Sequence, residues 1–371
     1  FANAFHGYGG PLGVSCPVSP LPICEAFFQA GQEMGMPFNP DFNGAAQQGL
    51  GYYQLTQWNA RRASAATGFI DPVRMRRPNL TIQLQTQALR VLVQGRRAVG
   101  VEAVSGTSRT PFSVHASREV IVCSGAIGSP RLLMHSGIGP ADHLRSVGLA
   151  PVHDLPGVGS NLQDHLDVCT LYHSTQRVTY DRLSDLKVAF DYYLRGHSGA
   201  GSSNIAEAGA FIRSGHAPDA RPDIQMHFVP AMLDDHGRHR LAGDGFTVHA
   251  CFLRPRSRGR LSLASGRAGD KPRIEPNYLG DAEGFDLKMM IECARLSREV
   301  LAQPAFDPYR GDPIYPARDD LDDAGLEAFV RAKAESVYHP IGTCRMGSDG
   351  SSVVDPALKV RGVDGLRVID A

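Results

Sequence analysis

Apolar residues recur near helical spacing at Ala26, Phe27, Ala30 and Met34, predicting a helix over 23–34. The run Arg61 to Ile70 reads as a second helix. Between 79 and 103 the period changes to two. Leu80, Ile82 and Leu84 alternate with polar residues, Ala88 to Val93 follows, Gln94-Gly95-Arg96-Arg97 turns, and Ala98 to Ala103 returns. That pattern predicts a β-meander. Glu119 to Cys123 is a short apolar run ending in Ser124-Gly125, which reads as a buried strand entering a glycine turn. Ser129-Pro130 then opens a helix, with serine as cap and proline at the first helical position, and Gly137 closes it.

Beyond residue 165 the pattern suggests a separate unit. Val168 to His173 and Phe246 to Leu253 read as strands. Leu183 to Arg195, Asp281 to Leu301 and Asp319 to Glu335 read as helices, the last with acidic residues crowding its first turn. Strands and helices without βα alternation point to an antiparallel sheet flanked by helices, so the expected class is mixed α+β and α/β. No internal repeat is visible.

A length of 371 residues suggests two domains, or one large domain with insertions. Lys and Arg total 38, as do Asp and Glu, which argues against a nucleic-acid binder driven by phosphate neutralisation. The seven cysteines form no C-x-x-C, and their odd count speaks against a disulfide framework or zinc knuckle; reduced, buried thiols are the simpler account, and no metal site is expected. No apolar run approaches the roughly 20 residues of a membrane span. A location in the cytoplasm, or peripheral to the inner membrane, stays open.

The stretch Val337-Tyr338-His339-Pro340-Ile341-Gly342-Thr343-Cys344-Arg345-Met346-Gly347 carries the strongest chemical signal. Pro340 biases His339 toward extended backbone, and Gly342 and Gly347 permit close approach to something bulky. Histidine is the side chain whose ordinary pKa lies near neutrality. Alone, His339 would read as a structural corner. The pattern Tyr-His-Pro-x-Gly-Thr-Cys-x-Met-Gly, however, resembles the C-terminal signature of the glucose–methanol–choline (GMC) family of flavin oxidoreductases. Ser124 to Gly139, Leu155 to His165 and Val360 to Ala371 resemble further blocks of that family, in its order.

The resemblance implies a partial FAD-binding domain over 74–165 and 340–371, and a substrate-binding domain over 1–73 and 166–339. It implies FAD as cofactor and oxidation of a primary alcohol by hydride transfer to flavin N5, as in choline-dehydrogenase-like alcohol dehydrogenases. The partners are then an alcohol and an electron acceptor such as a quinone, a dye or oxygen. His339 is the expected base, with Val337 and Tyr338 lining the pocket. Ser124, Gly125, Ala126, Asp370 and Ala371 are the expected cofactor contacts, and Ala88 matches a position that meets the adenine in relatives. The family's G-x-G-x-x-G opening and its second active-site His or Asn have no counterpart here. The chain therefore reads as an internal fragment, expected to bind FAD weakly or not at all by itself.

Several motifs point less far. Gly7-Tyr8-Gly9-Gly10 follows no apolar strand and meets Pro11, and Gly157-Val158-Gly159 follows Pro156, so neither is a dinucleotide turn. Glu207 could face the pocket and offset a quaternary ammonium, although a carboxylate capping a backbone turn is the plainer reading. His236 and His239 form H-x-x-H, with no third ligand at convincing spacing. The alternatives are a choline-specific dehydrogenase or oxidase and, in another class, a non-redox relative (a decarboxylase or lyase) or an inactive fragment.

Overall fold

The Leu166–Ser174 strand is the centre of the larger of two units. The structure, a computed structural model, describes residues 3–106, 108, 110–239, 241–318 and 320–371, except the side chain of His236. Asp319 lies outside the described residues. The first unit comprises Phe1–Leu80, Leu166–Arg254 and Leu287–Val337. The second comprises Thr81–His165, Pro255–Asp286 and Tyr338–Ala371. Residues 255–286, grouped by sequence with the substrate domain, therefore pack with the second unit.

The first unit holds a seven-stranded antiparallel sheet. Its order is Gly49–Tyr52, Ala208–Ile212, Ile224–Val229, Gly245–Phe252, Leu166–Ser174 and Arg310–Tyr315, with Glu335–Ser336 also pairing with Leu166–Ser174. Side chains alternate between faces along each strand. One face presents Met226, Phe228, Phe246, Val248 and Val168, all fully buried. The Ile23–Glu33 helix covers part of it, with the Phe27 ring stacked 5.0 Å from Phe228. The opposite face is more polar. Register places Cys169 directly across from His249, and His249 across from His227.

The second unit contains a three-stranded meander, Thr86–Gln94, Arg97–Ser105 and Pro111–His115, turned at Gly95 in the left-handed region. Beside it Val120–Val122 pairs in parallel with Leu366–Val368. Leu133, Met134, Ile138, Leu144, Val158 and Leu366 belong to its buried core.

Four predicted elements are corrected. Arg61–Arg62 is a strand, paired with Gln57–Trp58 through Asn59 and Ala60 at positive φ; the helical irregularity follows only at Ala66–Ile70. A two-residue turn with both φ positive is the favoured hairpin geometry, and it removes the helix start. Leu80, Ile82 and Leu84 form no strand and stand 40, 45 and 79 % exposed; Pro111–His115 supplies the third strand instead. The 319–335 helix is confined to Asp323–Lys333, with Asp322 as cap accepting from the Gly325 N–H. Finally, the helix expected from Ser129-Pro130 starts earlier, spanning Gly125–His135 with Pro130 inside it. Proline cannot donate to the carbonyl four residues back. That carbonyl, on Ala126, accepts a hydrogen bond from the Thr343 hydroxyl.

Candidate active site

Two segments of the second unit build the His339 loop. Asn161-Leu162-Gln163-Asp164-His165 acts as a rail for His339-Pro340-Ile341-Gly342-Thr343. Asp164 Oδ1 accepts the His339 N–H at 2.9 Å, and Asp164 Oδ2 accepts from the Tyr278 hydroxyl. Gln163 and Ile341 exchange backbone bonds of 3.0 and 2.8 Å. Asn161 Nδ2 donates to the Gly342 carbonyl at 3.2 Å. Gly342 sits at φ +91°, where a Cβ would stand 2.5 Å from the Asn161 carbonyl oxygen, so only glycine fits. Tyr338, next to the histidine, also holds positive φ (63°). Such strained positions persist where the surroundings over-determine them, and they concentrate at functional sites.

This scaffold brings His339 against His165. Their Nδ1 atoms lie 3.0 Å apart, with the rings edge to face at 80°. His339 is exposed and His165 half-buried. A hydrogen bond between two Nδ1 atoms leaves the Nε2 of His339 outside that bond. When His339 is the donor, its Nε2 carries a lone pair and can accept a proton. His165 was visible in the sequence only inside a resemblance block, without a role; Asp164 and Thr343 were equally unassigned. Their signal was a second polar, glycine-flanked segment whose pairing to the first is non-local.

A second cluster forms where the parallel strands end. Cys123-Ser124 leaves Val120–Val122 and Ile369-Asp370-Ala371 leaves Leu366–Val368, on the same side because the strands are parallel. The Asp370 carboxylate accepts the Gly125 N–H at 3.0 Å and the Ser129 hydroxyl, while Ser129 Oγ accepts the Ser124 N–H at 3.0 Å. Ser124, Gly125, Asp370 and Ala371 are exposed and Ala126 is buried. Carboxyl ends of parallel strands are where open α/β sheets bind ligands. A Cβ on Gly125 would meet nothing within 4 Å, so the surface there is open. The Ser124 and Gly125 amides are, however, already engaged by side chains, and a carboxylate stands at the helix start, so neither amide is offered to an anion. Burial, with Asp370 adding to it, pushes the Cys344 thiol up to about 12, and raises Cys123 as well, so neither is a thiolate.

Three predicted residues remain, Ala88, Val337 and Glu207. Ala88 is exposed, opposite Ala103 in the meander, and the hydrogen bonds around Asp370 do not reach it. Val337 and Glu207 belong to the first unit. Glu207 is 1 % exposed, with its carboxylate accepting from the Tyr180 hydroxyl at 3.2 Å. Burial raises its pKa, partly offset by Ser203 and Tyr180. In the H-x-x-H segment the His236 side chain lies outside the described residues; His239 is exposed and 3.5 Å from Asp234. Among the described residues, no helix is long and apolar enough to cross a membrane.

Comparison with known proteins decides the kinship. The N-terminal and C-terminal models of GMC oxidoreductases match residues 1–167 and 255–371. The chain belongs to the GMC oxidoreductase family. This GMC chain is 42 % identical to an alcohol dehydrogenase [acceptor] of Pseudomonas putida, covering 99 % of the chain and 66 % of the relative. It is 43 % identical to the mitochondrial choline dehydrogenase of Mus musculus, covering 100 % and 62 %. It thus spans less than two thirds of the length of these curated relatives. Among solved structures it resembles formate oxidase from Aspergillus oryzae (TM-score 0.89, 26 % identity, covering 98 % of this chain and 68 % of that one). It also resembles pyridoxine 4-oxidase from Mesorbium loti (0.86, 28 %, 99 % and 68 %). The mixed α/β fold is the fold of these proteins, and the family's cofactor is FAD.

Proposed function

We propose that this GMC protein takes part in FAD-dependent oxidation of a primary alcohol to an aldehyde, with His339 as the base. The observation that carries the reading is the His165–His339 pair, 3.0 Å between Nδ1 atoms, on an exposed loop tied down at Asp164, Gln163 and Asn161. With His339 Nδ1–H donating to His165, His339 Nε2 accepts the hydroxyl proton of the alcohol. Removing that proton as the C–H bond breaks avoids a free alkoxide, and a positioned imidazole contributes about 10²–10⁴-fold to such a step. Bound FAD supplies the hydride acceptor at N5. Residues 124–126 and 370–371, together with Ala88, are the ones that would hold it. In this reading the second unit, which carries Tyr338 beside His339, is the chain's share of the flavin domain, and the first is the substrate domain. A quinone, a dye or oxygen takes up the electrons.

The burial of Glu207 bears on substrate choice. Its carboxyl is enclosed and accepts a hydrogen bond from the Tyr180 hydroxyl. A carboxyl engaged inside the unit is not presented to a quaternary ammonium, which supports an uncharged alcohol over choline. The test is a panel of primary alcohols and choline, assayed with a dye acceptor on the whole protein loaded with FAD and followed by aldehyde detection. Aldehyde from uncharged alcohols, with kcat/KM at least tenfold above that for choline, is expected. Preference for choline would overturn the substrate assignment, and aldehyde from none would overturn the function.

A further inference from the structure

The polar face of the first unit's sheet holds a constellation with no part in alcohol oxidation as read above. Asp167 and Cys169 are two residues apart on Leu166–Ser174, so they share a face, and His249 stands directly opposite Cys169 on Gly245–Phe252. His249 Nδ1 lies 3.0 Å from Cys169 Sγ and 2.8 Å from Asp167 Oδ2, and Sγ and Oδ2 are 3.9 Å apart. We propose that Asp167, Cys169 and His249 form a binding site for a divalent cation of borderline softness, Zn2+ being the probe of choice.

The geometry distinguishes this from a nucleophilic triad. In a triad the imidazole passes charge through its two different nitrogens. Here thiol and carboxylate converge on the same nitrogen, so three donors surround one point. Thiolate, imidazole and carboxylate together form a zinc-type donor set. A second observation asks for a ligand. Asp167 is 2 % exposed, and its Oδ1 has no hydrogen-bond partner. A buried carboxylate oxygen left unpaired is costly, and a cation removes that cost. Glu335, paired opposite Asp167, adds negative charge beside the site. The His249 side chain keeps 16 % exposure, which leaves an approach for the ion and for a water as fourth ligand. With metal–ligand bonds of roughly 2.0–2.3 Å, the two short contacts open by less than about 1 Å on binding. The bond between metal and Sγ forms as S–H breaks, and the proton goes to solvent. His249 gives its Nδ1 lone pair and keeps hydrogen on Nε2.

The experiment is dialysis of the purified protein against ZnCl2 and then metal-free buffer, with zinc counted by mass spectrometry and its ligands read by X-ray absorption. One zinc per chain with one sulfur neighbour is expected. Cys169→Ser, a one-atom change, should lose the sulfur neighbour and retain zinc at least tenfold more weakly. A Cys16→Ser/Cys123→Ser variant, which removes both exposed thiols, should keep both. No retained zinc, a zinc shell without sulfur, or a sulfur neighbour that survives Cys169→Ser would overturn the proposal. None of these readings depends on turnover.

Discussion

His165 and His339 share one proton between their Nδ1 atoms across 3.0 Å. The direction of that bond decides the chemistry. If His165 accepts, His339 presents a basic Nε2; if His165 donates, His339 presents an N–H and cannot act as a base. On the proposed reading, the tautomer of His165 thereby decides whether His339 can act as the base.

His165→Phe removes the acceptor while keeping a ring. We expect kcat to fall on the order of 10- to 100-fold with KM little changed, the scale on which orienting partners of functional imidazoles act. His165→Gln, whose amide oxygen can accept, should recover most of the loss. Nitrogen chemical shifts of His339 should report an Nδ1–H tautomer in wild type and a mixture in His165→Phe. An unchanged tautomer would show that His165 does not set it.

Thr343→Val leaves the Ala126 carbonyl without its hydroxyl donor in a place where Pro130 cannot donate either. Thr343 is fully buried. Loss of a partner for a buried carbonyl costs about 1–3 kcal/mol. Thermal melts should show that loss in Thr343→Val and its recovery in Thr343→Ser. Equal melting of all three proteins would contradict the role given to the hydroxyl.

How much of this was legible beforehand depended on locality. His339, Pro340 and Gly342 stood together, so loop, base and close approach could be read directly. The 166–174 and 245–252 strands were legible from their apolar runs. The Gly125–His135 start was not, because Pro130 looked like a first-turn proline; what permits it inside the helix is a hydroxyl more than 200 residues away. His165 and the Asp167–Cys169–His249 group were hidden for the same reason, since they exist only through strand register and loop pairing. Residues 61–62 failed differently: two positive φ angles at Asn59-Ala60 outweighed local helix propensity.

Glu207 gives a pH signature. Its folded pKa is raised above the ordinary value, so the folded state holds the proton more tightly than the unfolded state. The stability this contributes is present below the unfolded pKa of about 4.3 and is lost as pH rises through the folded pKa. Glu207→Gln abolishes that loss. The melting temperature of the variant relative to wild type should climb as pH increases above the unfolded value and then level off. A difference independent of pH would mean that Glu207 ionises alike in both states.

Gly342→Ala forces a Cβ to within 2.5 Å of the Asn161 carbonyl at a left-handed φ, whereas Gly125→Ala meets open space. Both pay the backbone cost of positive φ, so the comparison isolates the clash. Gly342→Ala should destabilise by about 1–3 kcal/mol more than Gly125→Ala in denaturant titrations.

The central claim, that His339 takes the hydroxyl proton, is tested most directly by anaerobic stopped-flow reduction of the whole protein, loaded with FAD, by its alcohol. His339→Gln should keep its flavin and be reduced about 10²–10⁴-fold more slowly than wild type. Reduction at the wild-type rate in a flavin-replete His339→Gln enzyme would contradict the account.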